Sequence, residues 1–239
     1  MNVILAGYGQ MGKMLEATLD REGGHDIIGV VHPGLFETPF DVPGHADVLI
    51  DFSYPGNLEK VLSYGLQHKC ALVIGTTGLT EAQIESIREA SKSIPIVFST
   101  NYSLGVAALK KAVSLLAGML MDGGFDAEIV ETHHHKKADA PSGTAKTLLS
   151  LLDPDNQYEH IYGRSGQVGA RKKEIGIHAV RGGTVAGEHS VFFFGEDETI
   201  ELKHSAASRQ IFVNGAIQAA KFVIGRENGL YTTDDVLGM

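Results

Sequence analysis

One cysteine, Cys70, stands in 239 residues. That excludes an intramolecular disulfide framework and fits a reducing compartment. No apolar run reaches the ~18 residues a membrane-spanning helix needs. The start, Asn2-Val3-Ile4-Leu5-Ala6-Gly7, has no basic stretch ahead of its short apolar run. Neither a transmembrane helix nor a secretory leader is therefore expected. Basic charge is in deficit: 20 Lys and Arg stand against 29 Asp and Glu, a net charge of −9. This disfavours nucleic acid or a membrane as the main partner, while a local basic site for a small anion stays possible. Internal repeats and low-complexity tracts are also missing. Glycine is abundant, with 29 residues and no collagen period, which suits turns and close backbone approaches. Hydrophobic residues make up 43% and charged residues 21%, enough to bury a sizeable core in one domain or two closely joined ones.

The first hundred residues alternate short apolar runs with segments of helical period. Val3–Ala6, Ile27–Val31, Val48–Phe52, Ala71–Ile74 and Ile96–Phe98 read as strands. Helices follow through Met11 to Leu19, Leu58 to Leu66 and Ile84 to Ile87, with Thr80 placed as an N-cap. This rhythm predicts an α/β fold: a Rossmann-type doubly wound parallel sheet with its ligand at the carboxyl ends of the strands. Beyond Asn101 the pattern changes to a long apolar helix over Val106–Leu120 and then strands at 127–131, 175–180, 190–194 and 199–203. The pattern predicts a second α+β domain with a mixed sheet. Either a partner subunit or the long helix covers the sheet face that includes part of Phe192-Phe193-Phe194. A last helix, about Ile211–Ile224, returns to the first domain, and the polar segment 154–173 reads as a mobile loop. The boundaries are 1–104 with 213–239 for a dinucleotide-binding domain, and 105–212 for a substrate-binding and oligomerisation domain.

Gly7-Tyr8-Gly9-Gln10-Met11-Gly12 matches G-x-G-x-x-G between a predicted strand and a predicted helix. The first glycine permits a tight turn, the second lets backbone approach a pyrophosphate, and the third lets helix and strand pack closely. The acidic residue usual about 20 positions on is missing, because the second strand ends Val31-His32-Pro33-Gly34. NADH and NADPH therefore both remain open. Gly75-Thr76-Thr77-Gly78 and Ser99-Thr100-Asn101-Tyr102 follow the fourth and fifth strands, where loops of such a sheet meet a cofactor.

The densest chemistry lies in Glu131-Thr132-His133-His134-His135-Lys136-Lys137-Ala138-Asp139-Ala140-Pro141-Ser142-Gly143-Thr144-Ala145. Cationic side chains at a strand end stand beside a helix start whose amides suit an anion, which points to an acidic small molecule, a carboxylate. Histidine can relay a proton near neutral pH, and Asp139 can orient a base or cap the turn. A metal is not expected: adjacent histidines on a strand point to opposite faces, and neither a nearby Cys nor an H-E-x-x-H pattern exists. A solvated basic patch is the plain alternative, and Ser142 lacks the elbow of a nucleophile.

E-x-H-H-x-x-K-x-D-A-P-S-G-T-A resembles the signature of the dihydrodipicolinate reductase family, the 4-hydroxy-tetrahydrodipicolinate reductases of bacterial lysine and diaminopimelate biosynthesis. The resemblance spans nearly the whole chain and includes Arg181-Gly182-Gly183-Thr184-Val185-Ala186-Gly187-Glu188-His189. It implies His133 as proton donor or acceptor and Lys137 as second proton donor. It implies His134, Gly143 and Thr144 as contacts of a small dicarboxylate substrate. Cofactor contacts would be Gly7, Tyr8, Gly9, Gln10, Met11 and Gly12, then Gly75, Thr76 and Thr77, then Ser99, Thr100, Asn101 and Tyr102. It further implies NADPH or NADH as cofactor, a cytoplasmic location and a homotetramer assembled through the second-domain sheets. His135 and Lys136 fall at variable signature positions and receive no role. A non-catalytic dinucleotide sensor is the rival reading, but it gives no reason for the His/Lys cluster. A semialdehyde dehydrogenase would need a Cys nucleophile, and Cys70 precedes a buried strand with no His nearby.

Overall fold

β1 (Asn2–Ala6) is apolar after its first residue and buried on both faces, as a central parallel strand must be. In this computed structural model, which describes residues 1–238, it pairs in parallel with β2 (Asp26–Val31) and β3 (Val48–Asp51). β4 (Ala71–Ile74), β5 (Pro95–Phe98) and β11 (Gly229–Tyr231) complete a six-stranded parallel sheet of order β11-β5-β4-β3-β1-β2. Side chains alternate across it. Val3, Leu5, Val48 and Ile50 pack with α1 (Gln10–Glu22) and α6 (Gln210–Val223). Ile4, Leu49 and Leu72 pack with α2 (Leu58–His68) and α3 (Glu81–Ser91) on the other face. The doubly wound sheet expected from the sequence is present. Thr80 caps α3 as expected, its side chain accepting from Gln83 N–H.

The chain divides into two compact units, Met1–Leu104 with Gln210–Met239, and Gly105–Arg209. In the second, β6 (Asp126–His133) is central in a sheet of order β10-β9-β6-β8-β7. β8 (Glu174–Arg181) and β7 (Glu159–Tyr162) run parallel to β6 in turn, while β9 (Gly187–Phe194) and β10 (Thr199–Ala206) are antiparallel, so the sheet is mixed. One face carries Ala127, Ile129, Ile175, Ile177, Val191 and Phe193 against α4 (Leu104–Asp122) and α5 (Gly143–Leu152). On the other face Phe192 and Phe194 stack with ring centroids 5.6 Å apart, and Phe194 is exposed.

One reading of the sequence needs correction. The segment 154–173, expected as a mobile loop, contains the edge strand β7, and its remainder is clamped. Arg164 pairs with Glu128 at 2.8 Å and Glu174 at 2.7 Å, and Arg171 also pairs with Glu128. Burial would raise the Glu128 carboxyl, but Arg164, His178 and Arg171 outweigh it and hold it down to about 2. A four-residue polar strand at a sheet edge carries too little periodicity to be seen in sequence. α4 is long and apolar enough to pass as a membrane span by length and composition alone. Val113, Ala117 and Leu120 nevertheless bury against the sheet, and Lys110 and Lys111 lie within it, which fits a core helix of a globular unit.

Phe193 is fully buried where β9 meets the two helices. Phe193→Ala should cost about 3–5 kcal/mol, read as a fall in chemical-denaturation midpoint. A loss below about 1 kcal/mol would mean that this face is not the packed one.

Candidate active site

The dinucleotide motif takes the geometry its glycines allow. Gly7 has φ +93° after β1, and its N–H donates to Val31 O at 3.0 Å. A Cβ on Gly12 would lie 2.1 Å from Gly7 O, so the third glycine is required by the packing of α1 against the turn. Gly9, the N-cap, has nothing within 4 Å of a built Cβ, and neither a side-chain cap nor an acidic residue occupies the first turn of α1. Such a helix start suits a pyrophosphate, so the residues present fit a dinucleotide. Gln10 is exposed, while Met11 packs partly against the core. Tyr8 donates to Glu16, meets His32 edge-on at 5.9 Å, and carries Lys13 Nζ 5.5 Å from its ring centre. Beyond β2 the carboxylate of Glu37 approaches Gly34 N at 3.4 Å.

The loops after β3 and β4 are tied together by a residue to which the sequence motifs gave no role. Asp51, at the end of β3, is fully buried. It accepts from Ser53 N at 3.1 Å, Ser53 Oγ at 2.5 Å and Thr76 Oγ1 at 2.7 Å. Burial pushes its carboxyl above the ordinary range against these hydrogen bonds. Thr76 thus turns its side chain inward, and a Cβ on Gly75 would strike the Phe52 ring. Thr77 is exposed. In the loop after β5, Ser99 Oγ donates to Asn101 O at 2.8 Å, and Asn101 Oδ1 accepts from Ser103 N at 2.8 Å. Thr100 is exposed at the tip of this turn. Tyr102 points into the core, its hydroxyl at 2.9 Å from Ile74 O and 3.0 Å from Val97 O.

In the second unit the strand parity of β6 decides the site. Glu131 and His133 share the face of Ile129, toward α5. His133 stands opposite Arg181 in the parallel ladder, and Glu131 opposite His189 in the antiparallel one. Glu131 is fully buried. Its Oε2 lies 2.6 Å from His133 Nδ1, its Oε1 accepts from Ser142 N at 2.9 Å, and Arg181 donates to both oxygens at 2.7 Å. Burial alone would raise the Glu131 carboxyl, yet Arg181, His133 and the Ser142 N–H hold it below the ordinary value. Ser142 caps α5 by accepting from Ala145 N at 3.2 Å, and its Oγ sits 2.9 Å from His189 Nε2. Burial pushes His189 down to about 4, so it is neutral at pH 7. His189 meets His133 edge-on at 5.1 Å.

The flanking loop supplies the remaining candidates. His134 is half-buried, its Nδ1 has no hydrogen-bond partner, and desolvation, then Arg209 and neighbouring cations, lower its pKa. His135 and Lys136 are exposed, whereas Lys137 turns back and donates to Asp139 at 2.7 Å. Gly143 and Thr144 open α5, and nothing lies within 4 Å of a built Gly143 Cβ. Among the described residues no three His, Cys, Asp or Glu side chains group as a metal site requires. Glu131, Arg181 and His189 stood in the quoted motifs without roles. The available signal was a charge on the apolar face of a strand, two residues from Ile129, and Asp51 closing Val48-Leu49-Ile50 shows the same signal.

Comparison with known proteins matches this geometry to one family. The models of the dihydrodipicolinate reductase N-terminus and C-terminus match residues 1–102 and 105–237. The 4-hydroxy-tetrahydrodipicolinate reductases of Brachyspira hyodysenteriae and Staphylococcus haemolyticus are 43% and 44% identical, each alignment covering 99% of this chain and 100% of the relative. The solved dihydrodipicolinate reductase of Paenisporosarcina sp. TG-14, with dipicolinate bound, has the same fold, with a TM-score of 0.77 over 97% of each chain at 24% identity. On these matches, and with both halves of the chain accounted for, the protein belongs to the dihydrodipicolinate reductase family, the NAD(P)H-dependent 4-hydroxy-tetrahydrodipicolinate reductases of lysine and diaminopimelate biosynthesis.

Proposed function

We propose that in this reductase His133 carries the proton, Lys137 stabilises developing negative charge, and His134 with the amides of Gly143 and Thr144 holds a substrate carboxylate. The observation behind this reading is the convergence of His133, Ser142 and Arg181 on the buried Glu131 carboxylate. That shared carboxylate holds His133 beside the start of α5, a helix N-terminus that suits an anion. NAD(P)H, once held by the first unit, would supply the hydride that replaces the hydroxyl at C4 of the substrate ring, and that hydroxyl with one proton would leave as water. His133 gives the proton that balances the transferred charge. Lys137 is steered by its ion pair with Asp139 at 2.7 Å. The Paenisporosarcina relative binds dipicolinate, and a dicarboxylate of that kind suits this cationic set.

The cofactor contacts are assigned to residues 7–12, 75–77 and 99–102, with Thr76 and Tyr102 contributing backbone because their side chains face inward. The rival reading, a dinucleotide sensor without turnover, gives no reason for a paired histidine beside an anion-binding helix start. Loss of reduced-nicotinamide absorbance on mixing the chain with freshly generated product of the preceding synthase tests the assignment. No substrate-dependent oxidation with either cofactor would overturn it. We place the chain in the cytoplasm, on its single buried thiol. We also place it in a homotetramer joined through the sheet face that bears the stacked Phe192 and Phe194.

Three outcomes follow from the geometry. His32 follows β2 where a ribose-binding carboxylate would reject a 2′-phosphate, Glu37 lies beyond it, and Lys13 brings positive charge beside Tyr8. Both NADH and NADPH should work, with discrimination below about a hundredfold, or ~2.7 kcal/mol. A thousandfold preference in steady-state constants would contradict this. Thr144→Pro removes an amide donor in the first turn of α5, a position that tolerates proline. It should raise the substrate KM strongly and leave NAD(P)H affinity unchanged, and an equal loss of cofactor binding would show the site misassigned. Lys137→Ala should lower kcat by ~10² to 10⁴ with folding and cofactor affinity intact. Lys136→Ala, at an exposed position, should change kcat/KM by less than about tenfold, mostly through a salt-sensitive KM. Equal losses in both lysine variants, abolished by salt, would favour a diffuse basic patch.

A further inference from the structure

We infer that Glu131 is the positioning residue of the reaction: its carboxylate fixes the His133 proton on Nδ1, presents Nε2 to the substrate, and locks that ring to the start of α5. The inference rests on His133 being the proton carrier. A carboxylate only accepts hydrogen bonds when ionised, and Arg181 and the Ser142 N–H keep Glu131 ionised while it is fully buried. The 2.6 Å contact therefore requires His133 Nδ1 to be the donor. The opposite nitrogen is left to gain or lose the mobile proton. Nε2 has no hydrogen-bond partner among the described residues, and it faces Gly187, where a Cβ would lie 3.0 Å away. The missing side chain keeps the reacting edge open.

The same carboxylate serves three elements at once. His133 comes from the end of β6, Arg181 from the end of β8, and Ser142 from the cap of α5. Backbone bonds tie the first two segments further: Gly182 N donates to His133 O at 3.0 Å, and His135 N to Gly183 O at 3.3 Å. The distance between the proton carrier and the Gly143 and Thr144 amides is thus set by one group rather than by loop conformation. A proton carrier and a carboxylate site must be held to within a fraction of an ångström to act on one small ring. An orienting carboxylate behind a histidine is a general device for tautomer control, and its loss is costly in hydrolases that use one.

Glutamine at this position has one acceptor oxygen for two clients, so it cannot serve both His133 Nδ1–H and Ser142 N–H. Glu131→Gln should lower kcat by at least thirtyfold, with NAD(P)H affinity within about twofold of wild type. The charged and titratable groups around His133 are Arg181 on β8, His189 on β9, and His134, Lys137 and Asp139 in the loop after β6, with His204 on β10 beyond His189. Of these groups and Glu131, the carboxylate is the one that favours the protonated ring by direct contact. The alkaline limb of the kcat profile should therefore move to lower pH in Glu131→Gln. Glu131→Asp, which keeps the charge, should recover part of kcat and return the limb toward its original position. Nitrogen-15 spectra of histidine-labelled wild-type protein should show the Nδ1–H tautomer for a resonance lost in His133→Asn. A wild-type Nε2–H tautomer, or an unchanged kcat and pH profile in Glu131→Gln, overturns the inference even where His133→Asn is inactive. Full activity of His133→Asn instead overturns the reading beneath it. If Glu131→Gln does not fold, the wild-type tautomer and the Glu131→Asp profile decide.

Discussion

A carboxylate with no solvent contact is tolerated only when its charge is matched and its lone pairs are filled. Glu131 meets that condition through the Arg181 fork, the His133 ring and the Ser142 amide. Each partner belongs to a different element, so the requirement to satisfy one buried charge becomes a constraint on three backbone positions. Arginine is suited to this because its planar fork reaches both oxygens and leaves their other lone pairs to histidine and amide. The parallel β6–β8 ladder puts Arg181 opposite His133 before any side chain is placed. The helix cap then completes the set.

The dinucleotide-binding unit uses a second buried carboxylate with a different outcome. Asp51 also closes a strand and also ties loops together, but its partners are hydroxyls and an amide rather than a cation. Burial therefore dominates and lifts its pKa, whereas Arg181 and its companions reverse the same penalty at Glu131. The difference suits the two tasks. A cofactor pyrophosphate needs loops shaped around glycine and free of competing cation geometry. A proton carrier needs a charge held behind it.

Local patterns made the architecture legible. The parallel strands of the first unit are short apolar runs bounded by turns, and G-x-G-x-x-G sits where strand gives way to helix. The mixed sheet was legible too, because β8, β9 and β10 are each eight residues long. β7 and β11 were not, having four and three residues at sheet edges. The His-His to Ser-Gly-Thr segment was visible because it is contiguous. What joins it into a site was not, since Arg181 and His189 arrive from β8 and β9 through pairing about 50 residues away in sequence. Nor could residue type alone tell that the Thr76 hydroxyl and the Tyr102 ring face inward, because a threonine in a loop serves a ligand and a buried carboxylate equally well.

The charge of the site runs against that of the chain. The protein carries a net −9, yet His134, His135, Lys136, Lys137, Arg181 and Arg209 gather at one end of the second sheet, where Glu131 and Asp139 are already engaged. On a chain of net negative charge, a local cationic cluster attracts small anions by its own field. Too many cations there would make the histidines hard to protonate. The structure limits this through His189, which burial keeps neutral beside His133 and beside the Ser142 hydroxyl. A lysine or arginine of similar reach would place a permanent charge against the His133 ring and oppose its protonation. Histidine fills the space, bonds the cap serine and adds no charge, so the Glu131 carboxylate faces one fixed cation, Arg181, and one titratable ring, His133.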